Sequence, residues 1–326
     1  MGVFYQKVRN LNKKTKLSDP DIIIGSSPQP FAALAAERLA SDYNIPFFME
    51  VRDLWPQSLI DLGKTSKYHP FIILLAMLEK YLYKKAAKIV TALPGASNYI
   101  SELGFPKGKI VWISNGIDLT LVPEFNKSMQ NNVFTVMYTG AHGVANSLDT
   151  ILYAADSIMK QFGEKILFRF IGDGVEKNNL KNLSSNLKLE NVVFEDPVPK
   201  KDIYNILNEA DAFIAVSKKT KLYRWGISPN KLFDYFAMSK PVVLGVEAYN
   251  DPVKEAGAGI SVSPEDPQAL AEAILKLYNM PVEEREEMGL RGRRHVEDNY
   301  DFKKLAEKLE VVLLESIESK LGKSNA

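Results

Sequence analysis

Short, nearly uninterrupted apolar runs alternate with stretches of helical periodicity, and that alternation leaves few architectures open. Ile22-Ile23-Ile24, Pro46–Val51, Phe134–Tyr138, Ile166–Ile171, Ala212–Val216 and Pro241–Leu244 are such runs. A strand that is apolar on both faces suits the interior of a parallel sheet covered by helices. Strands that alternate with helices at this spacing predict a doubly wound α/β fold. The 326 residues suit two such domains. Lys+Arg 41 against Asp+Glu 40 gives no bulk attraction for nucleic acid. The chain has no cysteine, which excludes a disulfide framework, a Cys–zinc site and a thiol nucleophile. His69, His142 and His295 lie far apart in sequence, so no histidine-cluster metal site is indicated. No signal peptide opens the chain, and no apolar run reaches the roughly 20 residues that span a bilayer. A cytoplasmic location is expected.

In chain order, residues 1–19 are polar and basic. A strand at Asp21–Gly25, a helix at Phe31–Asp42 and a strand at Pro46–Val51 follow, leading into Arg52-Asp53-Leu54-Trp55-Pro56. Charged residues just past the carboxyl end of a parallel strand stand where open α/β sheets bind ligands. Arg52 is therefore a candidate for the phosphate or sugar side of a site, or else half of an Arg–Asp pair that fixes the loop. Residues 70–88 read as a helix with Phe71, Ile72, Leu75, Leu78 and Leu82 at helical spacing, and Lys80, Lys84 and Lys88 in an i, i+4 stripe near Lys85. Two uses fit: docking on an anionic membrane surface, or core packing with a solvated lysine edge. Asn115–Asp118 and the polar stretch to Asn132 read as a linker. A second α/β series follows, its strand ends marked by Gly140, Gly143, Gly172 and Gly174, where backbone can approach a ligand without an intervening Cβ. Neither turn is G-x-G-x-x-G and no Walker A loop occurs, so the common dinucleotide and ATPase fingerprints are absent.

Gly226–Val243 carries the densest local chemistry. Ser228-Pro229 predicts a helix start, with the hydroxyl as cap and the proline in the first turn. Asn230 and Lys231 stand at the exposed tip, and Leu232, Phe233, Tyr235 and Phe236 bury the helix. A helix N-terminus with an adjacent ammonium suits an anion. Asp234, one turn on, can reach a hydroxyl beside it. Phosphate at one end and a sugar hydroxyl at the other describes a nucleotide site; an ordinary capped helix is the plainer alternative.

Five segments, in order, carry a resemblance: Ile113-Ser-Asn-Gly-Ile-Asp118, Tyr138-Thr-Gly140, Ile171-Gly-Asp-Gly174, Val193-Phe-Glu-Asp-Pro-Val-Pro199, and Ser228-Pro-Asn-Lys-Leu-Phe-Asp234 with Lys240-Pro-Val-Val243. Their spacing resembles the family-4 retaining glycosyltransferases of the GT-B fold, built from two Rossmann-like doubly wound domains. The Arg52–Pro56 loop and the Ser228–Lys231 tip are similar to the branch that adds amino or deoxy sugars to lipid-linked bacterial surface glycans such as O-antigen or capsule. The resemblance implies an acceptor-side domain over 1–115, a nucleotide-sugar domain over 116–300 and a helix over 301–326 that returns to the first domain. It implies a nucleotide sugar, usually UDP-linked, as substrate, with no metal or other cofactor required. Arg52, Lys231 and His142 are the implied catalytic residues. Gly140, Gly143, Gly172, Gly174, Val198, Arg224, Ser228, Pro229, Asn230 and Asp234 are the implied donor contacts. Val198 would meet the base through its backbone and Asp234 would bind the ribose. Ser228–Lys231 would hold the diphosphate, and His142 would face the phosphates or the sugar. The linker at Asn115–Asp118 would act as a hinge.

Three departures from the family pattern stand out. The paired glutamates become Gly226 and Asp234. The usual arginine and lysine are missing from Gly140–Asp149, which puts more of the phosphate load on Lys231, with Arg224 as its helper. Relatives also have about three strands before the one at Asp21, so the first domain reads as incomplete and that strand as a sheet edge. Residues 1–20 with a partner chain or a second copy are expected to cover it, and a truncated gene product explains the late start equally well. The expected partners are a UDP-sugar, a lipid-linked or saccharide acceptor, and a peripheral membrane contact through 70–88 at the inner face of the cell membrane. A nucleotide-sugar-binding scaffold without turnover and a UDP-sugar epimerase are the competing functions.

Overall fold

The structure is a computed structural model that describes residues 5–8, 19–27, 29–63, 65–123 and 133–324. It divides into two compact units. The first takes the described residues up to Asn115, Thr220–Ser228, and the last helix from Leu305 on; the second takes Gly116–Lys219 and Pro229–Lys304. The placement of 220–228 with the first unit departs from the expected contiguous second domain. Its cause is local: Arg224 pairs with Asp61 at 3.2 Å, Trp225 packs on Tyr99, and the Trp225 carbonyl accepts from the Gly95 amide.

In the first unit, β1 (Ile23–Ser26), β2 (Phe47–Val51), β3 (Lys88–Thr91) and β4 (Ile110–Trp112) form one parallel sheet in the order β1-β2-β3-β4. The helices are α1 (Pro30–Asp42), α2 (Gln57–Asp61), α3 (Pro70–Lys85) and α4 (Ala96–Glu102). Among the described residues β1 pairs with β2 alone. The triple isoleucine therefore does not run buried on both faces: Ile24 is 43% exposed. Residues 1–4 and 9–18, expected to help cover this edge, and 124–132 of the expected linker lie outside the described residues. α3 ends at Lys85 and Lys88 opens β3, so Lys88 is not part of the helical lysine stripe.

The second unit holds β5 (Phe134–Thr139), α5 (Asp149–Phe162), β6 (Ile166–Ile171), α6 (Lys177–Asn186), β7 (Val192–Glu195), α7 (Ile203–Leu207) and β8 (Ala212–Val216). They are followed by α8 (Asn230–Ala237), β9 (Val242–Gly245), α9 (Pro252–Ala256), β10 (Gly259–Val262), α10 (Pro267–Asn279) and α11 (Val282–Asn299). α12 (Phe302–Ser324) ends the described chain. All strand pairs are parallel, in the order β10-β9-β8-β5-β6-β7. Counted from β5, this is the 3-2-1-4-5-6 winding of a dinucleotide-binding sheet, whose order reverses between β5 and β8. Every residue of β5, β8 and β9 is buried, as the apolar runs require of central strands. α10 shows how sequence sets a helix: Asp266 caps it by accepting from the Ala269 amide, and Pro267 fills the first turn. Leu270, Ile274 and Leu277 then bury one stripe, each worth roughly 1.5–3 kcal/mol of transfer free energy.

Candidate active site

The reversal point of the second sheet sets the location: ligands of such sheets bind beyond the carboxyl ends of the strands on either side of it. β5 ends at Thr139, and Gly140–Gly143 follow it. α8 is held over the sheet by its apolar face, where the Tyr235 ring stacks on Phe213 at 4.2 Å. The Tyr235 hydroxyl accepts from the Thr139 amide at 2.8 Å, which ties the helix to the end of β5. This packing leaves Asn230, Lys231 and Asp234 on the other side of α8. No side chain caps the helix; the Leu232 amide donates to the Pro229 carbonyl at 3.0 Å, which leaves the amides of Asn230 and Lys231 to solvent or to a ligand.

Lys231 lies in the angle between α8 and the Gly140 turn. Its Nζ donates to Tyr138 Oη at 2.7 Å and sits 4.0 Å from the centre of the same ring. Burial lowers its pKa to about 7, because no anion stands nearby to repay the desolvation of the ammonium. Gly140 has φ +129°, and a Cβ there would come within 2.9 Å of Lys231 Nζ; the glycine makes room for the ammonium. The Gly172 turn packs tighter still, since a Cβ on Gly172 would fall 2.0 Å from the Gly140 carbonyl oxygen. Lys177 fastens this second turn, donating to the carbonyls of Gly172 and Glu195 at 2.8 and 2.9 Å and to Asp196 Oδ1 at 2.9 Å.

Asp234 Oδ1 accepts from Lys200 Nζ at 2.5 Å and from Tyr204 Oη at 3.0 Å. Its Oδ2 is the oxygen left for a hydroxyl donor. Val198 is half-buried beside α8's core cluster. Lys231, Gly140, Gly172, Gly174, Val198, Asn230 and Asp234 thus belong to one unit and one end of its sheet. Among the described residues no group of three His, Asp or Glu side chains is placed to hold a metal ion.

Other expected residues are placed differently. His142 is fully buried, enclosed by Tyr138, Phe170 and Phe194, and neither ring nitrogen has a hydrogen-bond partner. Its side chain cannot face a phosphate or a sugar; burial, with Lys177 adding to it, lowers its pKa to about 4. Its backbone serves instead, exchanging bonds with the Asp173 carbonyl and the Glu176 amide. Ser228 does not cap α8, because its hydroxyl lies 2.8 Å from Ser114 Oγ and accepts from the Asn115 amide. Pro229 takes the cap position rather than the first turn, and it has no N–H to offer an anion. Gly143 has ordinary backbone, and a Cβ there would make only an ordinary contact, 3.6 Å from Asn146 Nδ2. Arg224, Ser228 and Arg52 belong to the first unit. Arg224 is ion-paired with Asp61, and Arg52 is exposed with no ion pair to Asp53 among the described residues. Three contributors were not foreseen: Tyr138, Lys177 and the Lys200–Tyr204 pair. A tyrosine directly before the Thr139-Gly140 turn was the available signal for the first.

Comparison with known proteins bears on the family and the fold. The family model described as Glycosyl transferases group 1 matches residues 133–280, and that described as Glycosyltransferase Family 4 matches residues 2–121. A Methanocaldococcus jannaschii protein named as an uncharacterized glycosyltransferase is 21% identical over 69% of this chain, and the match spans 57% of that relative's length. Among solved structures, the Anabaena HepE protein in complex with UDP and glucose superposes with a TM-score of 0.71 at 14% identity, over 94% of this chain and 80% of that one. Sucrose-phosphate synthase from Thermosynechococcus elongatus gives 0.74 at 15% identity, over 97% and 78%. The fold is GT-B, and the two family matches, which follow one another along most of the chain, make it a member of the family-4 glycosyltransferases.

Proposed function

We propose that the second unit seats a UDP-linked sugar and that the chain transfers this sugar, with retention, to a hydroxyl of a lipid-linked or saccharide acceptor in cell-surface polysaccharide synthesis. The observation that carries the reading is the half-buried Lys231 ammonium, set between an uncapped helix N-terminus and a glycine turn at the sheet's reversal point. A diphosphate placed there meets amide dipoles and one full positive charge. Asp234 Oδ2 would accept from a ribose hydroxyl and the backbone at Val198 would meet the base. In the reaction the bond from the anomeric carbon to the β-phosphate oxygen breaks and UDP departs with the electron pair. The acceptor oxygen bonds to the same face of that carbon and gives up its proton. Lys231 and the α8 amides stabilise the charge that develops on the departing diphosphate. The relatives support a uridine nucleotide, since HepE was crystallised with UDP-glucose and a Staphylococcus aureus protein, TarM, with UDP.

The test joins titration calorimetry with UDP to a turnover assay on UDP-sugars with and without saccharide or lipid-linked acceptors. Binding together with acceptor-dependent release of UDP supports the reading. Binding without turnover would assign a scaffold, and interconversion of the donor sugar without acceptor an epimerase. No binding of any uridine nucleotide would remove the site itself.

A further inference from the structure

The outward face of α3 has a composition that core packing does not explain. Ile72, Leu75, Glu79, Leu82 and Tyr83 form the buried side of the helix. Opposite them, Ile73, Leu74 and Met77 stand 47%, 54% and 66% exposed. At 100° per residue these three share one arc, and Lys80, Lys84 and Lys85, all exposed, continue the same arc toward the carboxyl end. The face is therefore apolar in its first turns and cationic in its last.

Its charge is one-sided. Between Leu62 and Ser101 the sequence holds six lysines and a single carboxylate, Glu79, in a chain whose net charge is only +1. Glu79 is buried and accepts from the Tyr99 hydroxyl at 3.0 Å, so it does not neutralise the surface. Glu37, near Tyr81, is also buried at 3% exposure. Lys109 adds a further ammonium at this end, with its Nζ on the Lys84 carbonyl.

We propose that this face docks on the surface of a bilayer containing anionic phospholipid, with Leu74 and Met77 entering the acyl boundary and Lys80, Lys84 and Lys85 on the headgroup phosphates. The division of the face matches a membrane interface, which offers hydrocarbon and phosphate side by side. A second copy of the chain fits less well: antiparallel pairing would press each copy's lysines onto the other's apolar turns, and parallel pairing would set lysine against lysine. No helix among the described residues is long and apolar enough to cross a membrane, so the contact is one of surface docking.

The test is co-sedimentation of the full chain with phosphatidylcholine vesicles and with vesicles carrying about 30 mol% phosphatidylglycerol. Binding to the anionic vesicles alone is expected, weakening as salt shortens the Debye length from about 10 Å at 0.1 M to about 3 Å at 1 M. Each surface lysine contributes roughly fivefold in affinity, so K80Q/K84Q/K85Q should lose about a hundredfold. L74S/M77S should also weaken binding while leaving the circular dichroism spectrum unchanged, since both side chains already face solvent. Equal binding to neutral vesicles, or binding that survives both variants, would overturn the proposal. So would a dimer in sedimentation velocity that L74S/M77S converts to a monomer without any vesicle binding, which would make this face a contact between copies.

Discussion

Replacing Lys231 by alanine removes an ammonium that lies 2.7 Å from Tyr138 Oη and that burial holds at a pKa of about 7. A hydrogen bond to a charged partner contributes about 1.5–3 kcal/mol net, so the variant should bind a UDP-sugar roughly 10- to 150-fold more weakly where the lysine is protonated. The same coupling energy must appear as an upward shift of the lysine pKa in the complex. At about 1.36 kcal/mol per pKa unit, the bound value is about 8 to 9. The sign follows by linkage: binding takes up a proton, so wild-type affinity is flat below about pH 7, falls as pH rises toward about 9, and levels off beyond. Lys231→Ala should show no such fall, and the ratio of the two affinities should shrink toward unity at about pH 9. Lys231→Arg keeps its charge throughout and should remove the pH dependence. The assay is calorimetry with UDP-glucose, whose diphosphate is esterified at both ends and lacks the ionisation near about pH 6 of a terminal phosphate. An alanine variant as tight as wild type at about pH 6, or a ratio that stays constant to about pH 9, would refute the placement of the diphosphate at Lys231.

His142→Leu should leave nucleotide affinity unchanged, because the imidazole is enclosed by Phe170 and Phe194, and removing an unpartnered buried polar group is neutral or stabilising. The histidine pKa falls from 6.5 to about 4 in the folded chain, so the unfolded state binds more protons in that window and wild-type stability drops as pH falls through it. Thermal melts of the variant should therefore decline less steeply between pH 6.5 and about 4; parallel curves would contradict the burial. Gly172→Ala should cost about 2–4 kcal/mol in denaturant titration and weaken UDP binding as well. Its Cβ would sit 2.0 Å from the Gly140 carbonyl, and Gly140 borders Lys231. Normal stability and affinity would mean that the two turns move apart freely.

What could be read in the sequence was whatever neighbouring residues decide. The runs at Phe134–Tyr138 and Ala212–Val216 became the strands on either side of the reversal point, and the glycine turns stand where backbones approach most closely. What could not be read depends on partners far along the chain. Ser228-Pro229 has the local form of a helix cap, yet the hydroxyl is taken by Ser114 and Asn115, more than a hundred residues earlier. His142 follows a glycine turn and so reads as a loop tip, but Phe170 and Phe194 close over it from β6 and β7. Asp234 was identifiable as a carboxylate one turn from Lys231, whereas the claim of Lys200 and Tyr204 on one of its oxygens was not.

The two sheets also differ in a way that composition hides, and the difference bears on where chemistry can occur. Both are parallel and both were expected from the same kind of apolar run. The second winds outward in both directions from β5 and β8, so the connections leaving these strands run to opposite sides and open a crevice between them. Gly140 and Lys231 stand at the edge of that crevice. The described strands of the first sheet follow one another in a single direction, which creates no such reversal. Arg52, at the end of β2, therefore lacks the topological setting of the Gly140 turn, even though both stand just past the carboxyl end of a parallel strand. The end of a parallel strand is a necessary condition for a site of this kind, and the change in winding direction is what separates the position proposed for the diphosphate from its look-alike.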